Sequence, residues 1–419
     1  MNNRRKFVQK LALGISSALT FPKIAQAEPK TLDYSLQGEA FWEALRKEFP
    51  LTDKRVYFNN GTFGPSPKSV LEVLKKEHNY FNEWGEYGST KAARKTLADF
   101  VNVATEEISL THNTTEGINI VTWGLPLKKG DEVIITKQEH VGNALPWLNR
   151  AKLHGIVLKP FEPAQTTEKN LQLIESLITK KTKVIAIPHI TCTTGLVMPI
   201  KEIAALAKSK GIFTAIDGAH GAGTFNLNLK DLGCDFYATS CHKWLLGPNG
   251  SGFVYIRKEL LDTLQAYWVG GYSDTGWDLM GDEPYIKGYV PTAHRYDYGS
   301  QNAALYAAAA EAANFHTKIG KDKVEARVRE LATYLQENLL EKASNKIEIL
   351  TPTEAKSRIS MITFKSKTMD FRAFNKIAAK NKFRIRIVPE SNLNAIRIST
   401  HIYNSKAQID RFVEMVREV

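Results

Sequence analysis

A lysine lies among aromatic and apolar residues in the segment YATSCHKWLLGPNGSGF, residues 237–253. Lys243 stands between His242 and Trp244, just before a glycine-rich stretch. A lysine in such surroundings loses hydration, so the pKa of its ammonium falls and its free amine can act as a nucleophile or a base. Lys243 is therefore the first candidate for covalent or general-base chemistry. The surrounding fold must supply a partner acid and hold the lysine in place.

The segment from about residue 100 to 260 alternates short β-branched runs with amphipathic helical patterns such as NLQLIESLITKK and IKEIAALAKSKG. The predicted strands are residues 132–136, 156–160, 183–188, 213–217, 235–239 and 252–256. Buried apolar strands separated by helices of this length are typical of an α/β fold with a doubly wound, mainly parallel sheet. The sequence thus predicts a large α/β domain over residues 61–300.

The alternation of short strands and amphipathic helices ends by about residue 300. An alanine-rich helical pattern over residues 302–320 and a long one over 323–342 precede short strands and helices that continue to the C-terminus. This order predicts a linking helix and a small α+β domain over residues 301–419. Residues 28–60 predict an N-terminal arm with one helix.

Polar residues follow four of the predicted strands. The exits read KQEHVGN after residue 136, HITCTTG after 188, DGAHGAG from Asp217 and SCHKW after 239. Sheets of this kind bind ligands at the carboxyl ends of their strands. An aspartate and a lysine at neighbouring strand ends suggest pyridoxal 5'-phosphate. That cofactor needs a lysine amine, an acid opposite its pyridine nitrogen and donors for its phosphate.

Several spaced motifs between about residues 55 and 410 resemble the class V aminotransferases, a fold-type I group of pyridoxal phosphate enzymes that includes cysteine desulfurases and isopenicillin N epimerase. The motifs are FNNGTFG, THNTTEGIN, QEHVGN, DGAH, SCHKW, YDYGSQN and AIRIST. The resemblance implies three catalytic residues. Lys243 would hold the cofactor as a Schiff base, Asp217 would keep the pyridine nitrogen protonated, and His140 would stack on the ring.

The same resemblance implies roles for the remaining motif residues. Phosphate contacts are expected from Thr114, Thr115, Ser240 and His242. His220 is expected near the phenolic oxygen of the cofactor. On the substrate side, Arg397 is expected to clamp the α-carboxylate through a bidentate pair, and Asn60 to line the pocket. Ser300 is expected to reach the phosphate of a partner subunit, which implies a homodimer.

Two departures from the family pattern narrow the reaction. Desulfurases carry a nucleophilic cysteine shortly before the carboxylate-binding arginine, whereas residues 384–400, RIRIVPESNLNAIRIST, contain no cysteine. Cys192 stands where the family usually has an asparagine that contacts the phenolic oxygen. A thiol is a weak hydrogen-bond partner, so this contact passes to Thr191 or is lost. The segments FNNGTFGPSP and IPHITCTTGLVMPI look more like the isopenicillin N epimerase branch.

We therefore expect a pyridoxal-phosphate-dependent enzyme that acts at Cα or Cβ of an amino-acid substrate, with transaminase-like or C–S/β-lyase chemistry. The alternative is an amino-acid epimerase of the isopenicillin N epimerase type. A cysteine desulfurase and a non-catalytic exported protein of this fold are less favoured. The second is disfavoured because Lys243 and Asp217 are both intact.

Two rival sites are rejected on their residues. The stretch GPNGSG, residues 247–252, lacks the G-K-[ST] ending of a nucleotide-binding loop. The histidines at the strand exits and Cys241 include no pair with the spacing H-x-x-x-H or C-x-x-C, so we expect no metal. The three cysteines of the chain do not predict a disulfide framework.

The first 27 residues predict an export signal. Arg4, Arg5, Phe7 and Lys10 resemble the twin-arginine pattern RRxFxxK, ahead of a short apolar run and an A-x-A-like cleavage site after Ala27. The mature protein is then expected to be periplasmic or extracellular, without a membrane span. The chain carries a net charge of +12, but the signal holds five basic residues and no acid. The remaining, scattered basic residues favour a solvated surface over a nucleic-acid site.

Overall fold

A computed structural model describes residues 32–419, so the predicted signal and its cleavage site lie outside the described residues. The helices are α1 Gly38–Arg46, α2 Lys68–Trp84, α3 Lys91–Phe100, α4 Thr114–Gly124, α5 Val141–His154, α6 Thr167–Leu177, α7 Ile200–Ser209, α8 Leu229–Leu232, α9 Ala303–Ile319, α10 Lys321–Ala343, α11 Phe371–Lys380 and α12 Lys406–Glu418.

The strands are β1 Val56–Tyr57, β2 Ile108–Thr111, β3 Glu132–Thr136, β4 Val157–Phe161, β5 Thr182–Pro188, β6 Phe213–Asp217, β7 Phe236–Ser240, β8 Gly252–Ile256, β9 Trp277–Asp278, β10 Tyr285–Ile286, β11 Ile347–Ile349, β12 Met361–Ser366, β13 Phe383–Arg384, β14 Arg386–Val388 and β15 Ala395–Ser399.

Seven strands form the large sheet, in the order β2-β8-β7-β6-β5-β3-β4. β8 runs antiparallel to both its neighbours, while β7, β6, β5, β3 and β4 pair in parallel. The predicted α/β fold with a mainly parallel sheet is confirmed, and each of the six strands predicted for this sheet matches an observed one to within one residue at either end. β2 was not predicted, because its four residues, ISLT, give too short a pattern at the edge of the sheet.

The large sheet is buried on both faces, which explains its apolar strands. Side chains alternate along a strand, so neighbours point to opposite faces. On β3, Val133 and Ile135 belong to one core cluster with Trp147 of α5, whereas Ile134 belongs to the cluster on the other face. On β5, Ile185 and Ile187 likewise belong to that second cluster. The sheet is thus a rigid slab held by cores on both faces.

A small antiparallel sheet, in the order β11-β12-β15-β14, has a core of its own with α10, α11 and α12. The segment FRIRIV, residues 383–388, does not form one continuous strand, because strand structure is interrupted at Ile385. β13 then pairs in parallel with β1, and β14 pairs with β15. The break therefore ties the N-terminal arm to the small sheet. The predicted domain boundaries stay predictions.

A fourth core cluster joins the arm, the large sheet and the small sheet. It includes Phe41 and Trp42 of α1, Trp244 beyond β7, and Ile402 and Tyr403 beyond β15. Trp244 is fully buried, so the residue directly after Lys243 is fixed by packing. Among the described helices, none has the length and apolar character needed to cross a membrane.

Candidate active site

A cavity of about 300 Å³ is lined by residues from the ends of β6 and β7, from the starts of α4 and α5, and from the small sheet. Nine of the eleven predicted site residues line it: Thr114, Thr115, His140, Asp217, His220, Ser240, His242, Lys243 and Arg397. Parallel strands bring their carboxyl ends to one edge of a sheet, which is why residues distant in sequence meet here. The predicted residues Asn60 and Ser300 do not line the cavity.

Lys243 lies three residues beyond β7 and is partly buried. The one hydrogen-bond contact of its side chain within the described part of the chain is to Nε2 of His220, 3.5 Å from Nζ. Burial lowers the pKa of Lys243, and Asp217 opposes that shift. The lysine thus has an environment that favours the free amine, which is the reactive form.

Trp244 orients His220 as well as Lys243. Its indole Nε1–H donates to Nδ1 of His220 at 2.9 Å. Burial lowers the pKa of His220 well below its usual value, so the ring is neutral and must carry its proton on Nε2. That N–H then faces Nζ of Lys243, and only an unprotonated amine can accept from it. The contact therefore also favours the free amine.

Asp217 is buried at the end of β6, and its Oδ1 accepts from the backbone N–H of Ala219 at 2.9 Å. Within residues 32–419, Oδ2 has no hydrogen-bond partner. A buried carboxylate with a free oxygen on the cavity wall can hold a proton on a ring nitrogen that enters the cavity. The strand end explains its fixed position, since β6 pairs with β5 and β7 on either side.

Two helices begin at the cavity, α4 after Asn113 and α5 after His140. Asn113 caps α4 by accepting from Glu116 N, and Thr114 N donates to Oγ of Ser240 at 2.9 Å. The exposed Thr115 lines the cavity beside them. Helix N-termini attract anions through their free N–H groups and their dipole. This end of the cavity is suited to a phosphate.

His242 and His140 flank the same cavity as neutral rings. Burial, and then the charge of Lys243, lowers the pKa of His242 to about 4 and also lowers that of His140. Nδ1 of His242 is buried without a hydrogen-bond partner among the described residues. Nδ1 of His140 accepts from Gly142 N at 3.0 Å, which leaves its proton on Nε2. An unpartnered buried ring nitrogen indicates that a bound group completes the site.

Arg397 of β15 is buried and lines the cavity from the small sheet. Nη1 donates to the carbonyl of Cys192 at 2.6 Å and Nη2 to Oγ1 of Thr62 at 3.2 Å, while Nε has no partner within residues 32–419. Burial, and then nearby Arg386, lowers the pKa of Arg397 to about 9. A buried guanidinium with only neutral partners is unusual, because charged groups in the interior are normally paired. An incoming carboxylate would supply the missing charge.

Arg386 of β14 also lines the cavity, and the sequence reasoning missed it. It lies directly opposite Arg397 in the β14–β15 ladder, which places both side chains on one face. Its guanidinium forms an ion pair with Glu390. The available signal was the repeated pattern of an arginine between isoleucines, in RIRIV and AIRIS, on two adjacent strands.

The two predicted residues outside the cavity have clear positions. Asn60 is fully buried behind it, where Oδ1 accepts from the Tyr403 hydroxyl at 2.9 Å, and its neighbours Gly61 and Thr62 line the cavity instead. The side chain of Asn60 thus faces the core rather than the pocket. Ser300 is exposed, beyond the cavity of its own subunit. Its predicted contact with a partner subunit stays a prediction.

The loop around Asn60 closes on the lysine segment. Gly64 N donates to the carbonyl of His242 at 2.7 Å. A Cβ atom at Gly64 would stand 1.8 Å from the carbonyl oxygen of Lys243, so no other residue fits there without moving the chain. Glycine is therefore required for the close approach of the two backbones.

All three cysteines are buried and free. Cys192 lines the cavity, and burial raises the pKa of its thiol to about 11. Burial raises the pKa values of Cys234 and Cys241 to about 12. A thiol with a raised pKa is a poor nucleophile, because the thiolate is the reactive form.

Residues 58–412 match the family model described as aminotransferase class V. The chain belongs to the class V aminotransferase family. A probable cysteine desulfurase of Pyrococcus abyssi is similar to it, with 28% identity over 90% of this chain and 97% of the relative. The isopenicillin N epimerase of Amycolatopsis lactamdurans is 26% identical over 90% of this chain and 98% of the relative.

Solved structures of C-DES have the same fold as this family member. A variant of C-DES with glycine covalently linked to its pyridoxal phosphate aligns with a TM-score of 0.81 and 25% identity, over 89% of this chain and 99% of that chain. The cystine C–S lyase C-DES with its product cysteine persulfide aligns with a TM-score of 0.81 and 25% identity, over 88% and 99%. The chain thus has the fold-type I architecture.

The protein is a pyridoxal-phosphate-dependent enzyme. Its cavity fits that cofactor on structural grounds: a lysine whose pKa burial lowers, a buried carboxylate with an open oxygen, and an anion site at the start of α4. The unpartnered Nδ1 of His242 is one further polar atom that a bound group can satisfy.

Proposed function

We propose that this enzyme acts at Cα or Cβ of a small amino acid, by C–S/β-lyase or transaminase-like chemistry. The observation that carries the proposal is the presence, in one cavity, of a lysine whose pKa burial lowers and a buried arginine that lacks an acidic partner. The first group suits covalent attachment and proton transfer, and the second suits a carboxylate.

When bound, pyridoxal phosphate withdraws electrons from the bonds at the α-carbon of an amino acid. Each protein residue then has a defined task. Asp217 would hold the proton on the ring nitrogen, and the start of α4 at Thr114 would hold the phosphate. Arg397 orients the amino acid through its α-carboxylate. Lys243 holds the cofactor and takes the proton from Cα as general base.

The cysteines support a lyase or transaminase over a desulfurase. Persulfide transfer needs a thiolate that reaches the substrate sulfur. Cys192 is the one cysteine on the cavity wall within the described chain, but it is buried and burial raises the pKa of its thiol. Expulsion of a β-substituent needs no protein thiol, as in the chemistry named for the cystine C–S lyase C-DES.

Epimerisation is the second candidate, because isopenicillin N epimerases match almost the whole chain. Returning the proton to the opposite face of Cα requires a donor on that face. His140 is a ring on the cavity wall that carries its proton on Nε2, so it can donate there. This geometry keeps the epimerase reaction a candidate for this chain.

One experiment separates these reactions. The holoenzyme in deuterated water is incubated with L- and D-amino acids, including S-conjugates, and followed by NMR. A keto acid with ammonia and a released thiol indicates β-elimination, and a keto acid with amine transfer indicates transamination. Deuterium at Cα with scrambled chirality indicates an epimerase. No reaction with any substrate, in protein shown to hold its cofactor, would contradict the proposal.

We also propose that the enzyme is an exported homodimer. Export rests on Arg4 and Arg5, and replacing both by lysine should keep the protein in the cytoplasm in a fractionation experiment. Dimerisation is supported by the exposed Ser300 and by a segment with many exposed apolar side chains, among them Trp268 and Trp277. Sedimentation of the holoenzyme as a monomer would contradict the dimer.

A further inference from the structure

Two arginines line the cavity, although one arginine is enough to hold an α-carboxylate. Arg386 and Arg397 are directly opposite each other in the β14–β15 ladder, and both line the cavity. Like charges at opposed positions of an antiparallel pair destabilise the sheet. The effect is visible here, because Arg386 is the largest charge effect lowering the pKa of Arg397. Because the fold keeps this pair, two guanidinium groups lie on the cavity wall where the substrate is proposed to bind.

Arg386 is already shaped as a carboxylate receptor. Its Nη1 and Nη2 both contact the carboxylate of Glu390, one oxygen each, which is the bidentate geometry of an arginine–carboxylate pair. A guanidinium has five N–H donors, and this contact uses two of them. The side chain is 21% exposed and lines the cavity, so its remaining donors can reach a bound molecule.

The loop that carries Glu390 holds this arrangement in place. Ser391, Asn392 and Asn394 all have positive φ, between 50° and 55°, which is rare outside glycine and needs support from tertiary contacts. Ser391 Oγ supplies such a contact by donating to the carbonyl of Lys137 beyond β3. The loop therefore connects the small sheet to the segment that follows β3 of the large sheet.

We infer that Arg386 selects the substrate by its side chain: the enzyme takes an amino acid that carries a second carboxylate. This inference rests on the proposed function, in which Arg397 binds the α-carboxylate. Arg386, the cross-strand neighbour of Arg397, binds the carboxylate at the far end of the substrate through the donors that Glu390 leaves free. The preference arises because a carboxylate accepts from the free donors of Arg386 in a charge-assisted contact, whereas the oxygen of a neutral amide is a weaker acceptor.

The test compares acids with their amides, since each pair differs in charge and little in shape. The cofactor-loaded enzyme is titrated with L-aspartate, L-asparagine, L-glutamate and L-glutamine, and binding is followed by the absorption of the bound cofactor. We expect at least one acid to bind about 10–100-fold more tightly than its amide, the range of a charge-assisted contact. Equal binding of acid and amide would overturn the role of Arg386.

Variants then assign the preference to one side chain. Arg386→Met should abolish the preference and leave amide binding within about 3-fold of wild type, because Arg397 is untouched. Arg386→Lys keeps the charge but loses the planar fork, so it should restore part of the preference even if the methionine variant folds poorly. Arg384→Met, at an exposed arginine outside the cavity, is the matched control and should change nothing.

The outcomes separate this inference from the proposed function. A preference that survives Arg386→Met, in protein with a normal melting temperature, would overturn the role of Arg386 alone. No absorption change with any amino acid, in wild-type protein that holds its cofactor, would overturn the proposed function and this inference together.

Discussion

The cavity has two walls that are built in different ways. We call Thr114, Asp217, Ser240, His242 and Lys243 the sheet-end wall, and Thr62, Cys192, Arg386 and Arg397 the composite wall. The sheet-end wall lies on or beside the large sheet, whose strands are buried on both faces. The composite wall comes from the loop that follows β1, from a loop beyond β5 and from the small sheet.

This difference separates what is fixed from what can vary. A wall on one rigid slab keeps its geometry when surface loops change, which suits a cofactor common to a whole family. A wall assembled from three segments changes whenever the small sheet or the arm shifts. Fold alone does not determine the reaction, and we expect the composite wall to distinguish substrates.

The largest effect should come from Lys243 on the sheet-end wall. Lys243→Ala removes the amine that we propose holds the cofactor and takes the proton from Cα. Turnover should fall by about 10²–10⁴-fold or more, and the absorption of covalently held cofactor should disappear. Lys258→Ala, at an exposed lysine, is the control and should match wild type. Full activity in Lys243→Ala would sink the assignment.

The second-largest effect tests the close backbone contact between Gly64 and the segment that carries Lys243. Gly64→Ala places a Cβ 1.8 Å from the carbonyl oxygen of Lys243, so one backbone must move. Overpacking of this kind costs about 1–3 kcal/mol, and the free energy of unfolding should fall while cofactor binding weakens. Gly271→Ala is the control, since nothing lies within 4 Å of its Cβ position. Equal stability of the two variants would show that the backbones of Gly64 and Lys243 are not in close contact.

The two walls also differ in how far the sequence could reveal them. Asp217, Ser240 and Lys243 were predictable because each follows a strand whose apolar pattern is plain, and parallel pairing brings strand ends together. Arg386 was not predictable, because its position opposite Arg397 depends on the register of β14 and β15 and on the break at Ile385. Asn60 shows the same limit, since tertiary packing against Tyr403 sets the direction of its side chain.

Arg397 on the composite wall should have a smaller and more selective effect. Arg397→Met removes a charge-assisted contact to the α-carboxylate, so amino-acid binding should weaken by about 10–100-fold. Cofactor content should stay unchanged, because the sheet-end wall is intact. Isothermal titration of holoenzyme with substrate measures the first quantity and absorption the second. Loss of cofactor in this variant would mean that the walls are not independent.

The pH dependence of cofactor capture tests the sheet-end wall without mutation. The amine of Lys243 is lost to protonation as pH falls through its pKa, which burial lowers from the usual 10.5. Capture of cofactor by the apoenzyme should therefore persist to lower pH than with a free lysine. Because burial also lowers the pKa of His242 to about 4, its titration should produce no step between pH 5 and 8. A step near pH 6.5 would place a charged histidine in the site.

The smallest expected effect separates this enzyme from thiol-dependent members of the family. Cys192→Ala should change turnover by no more than about 3-fold, since its thiol is protonated and its backbone carbonyl supplies the contact to Arg397. Cys234→Ala, buried away from the cavity, controls for packing loss. A large loss confined to Cys192→Ala would mean that the thiol takes part in the reaction. The composite wall would then supply chemistry as well as specificity, and desulfuration would become the better reading of the site.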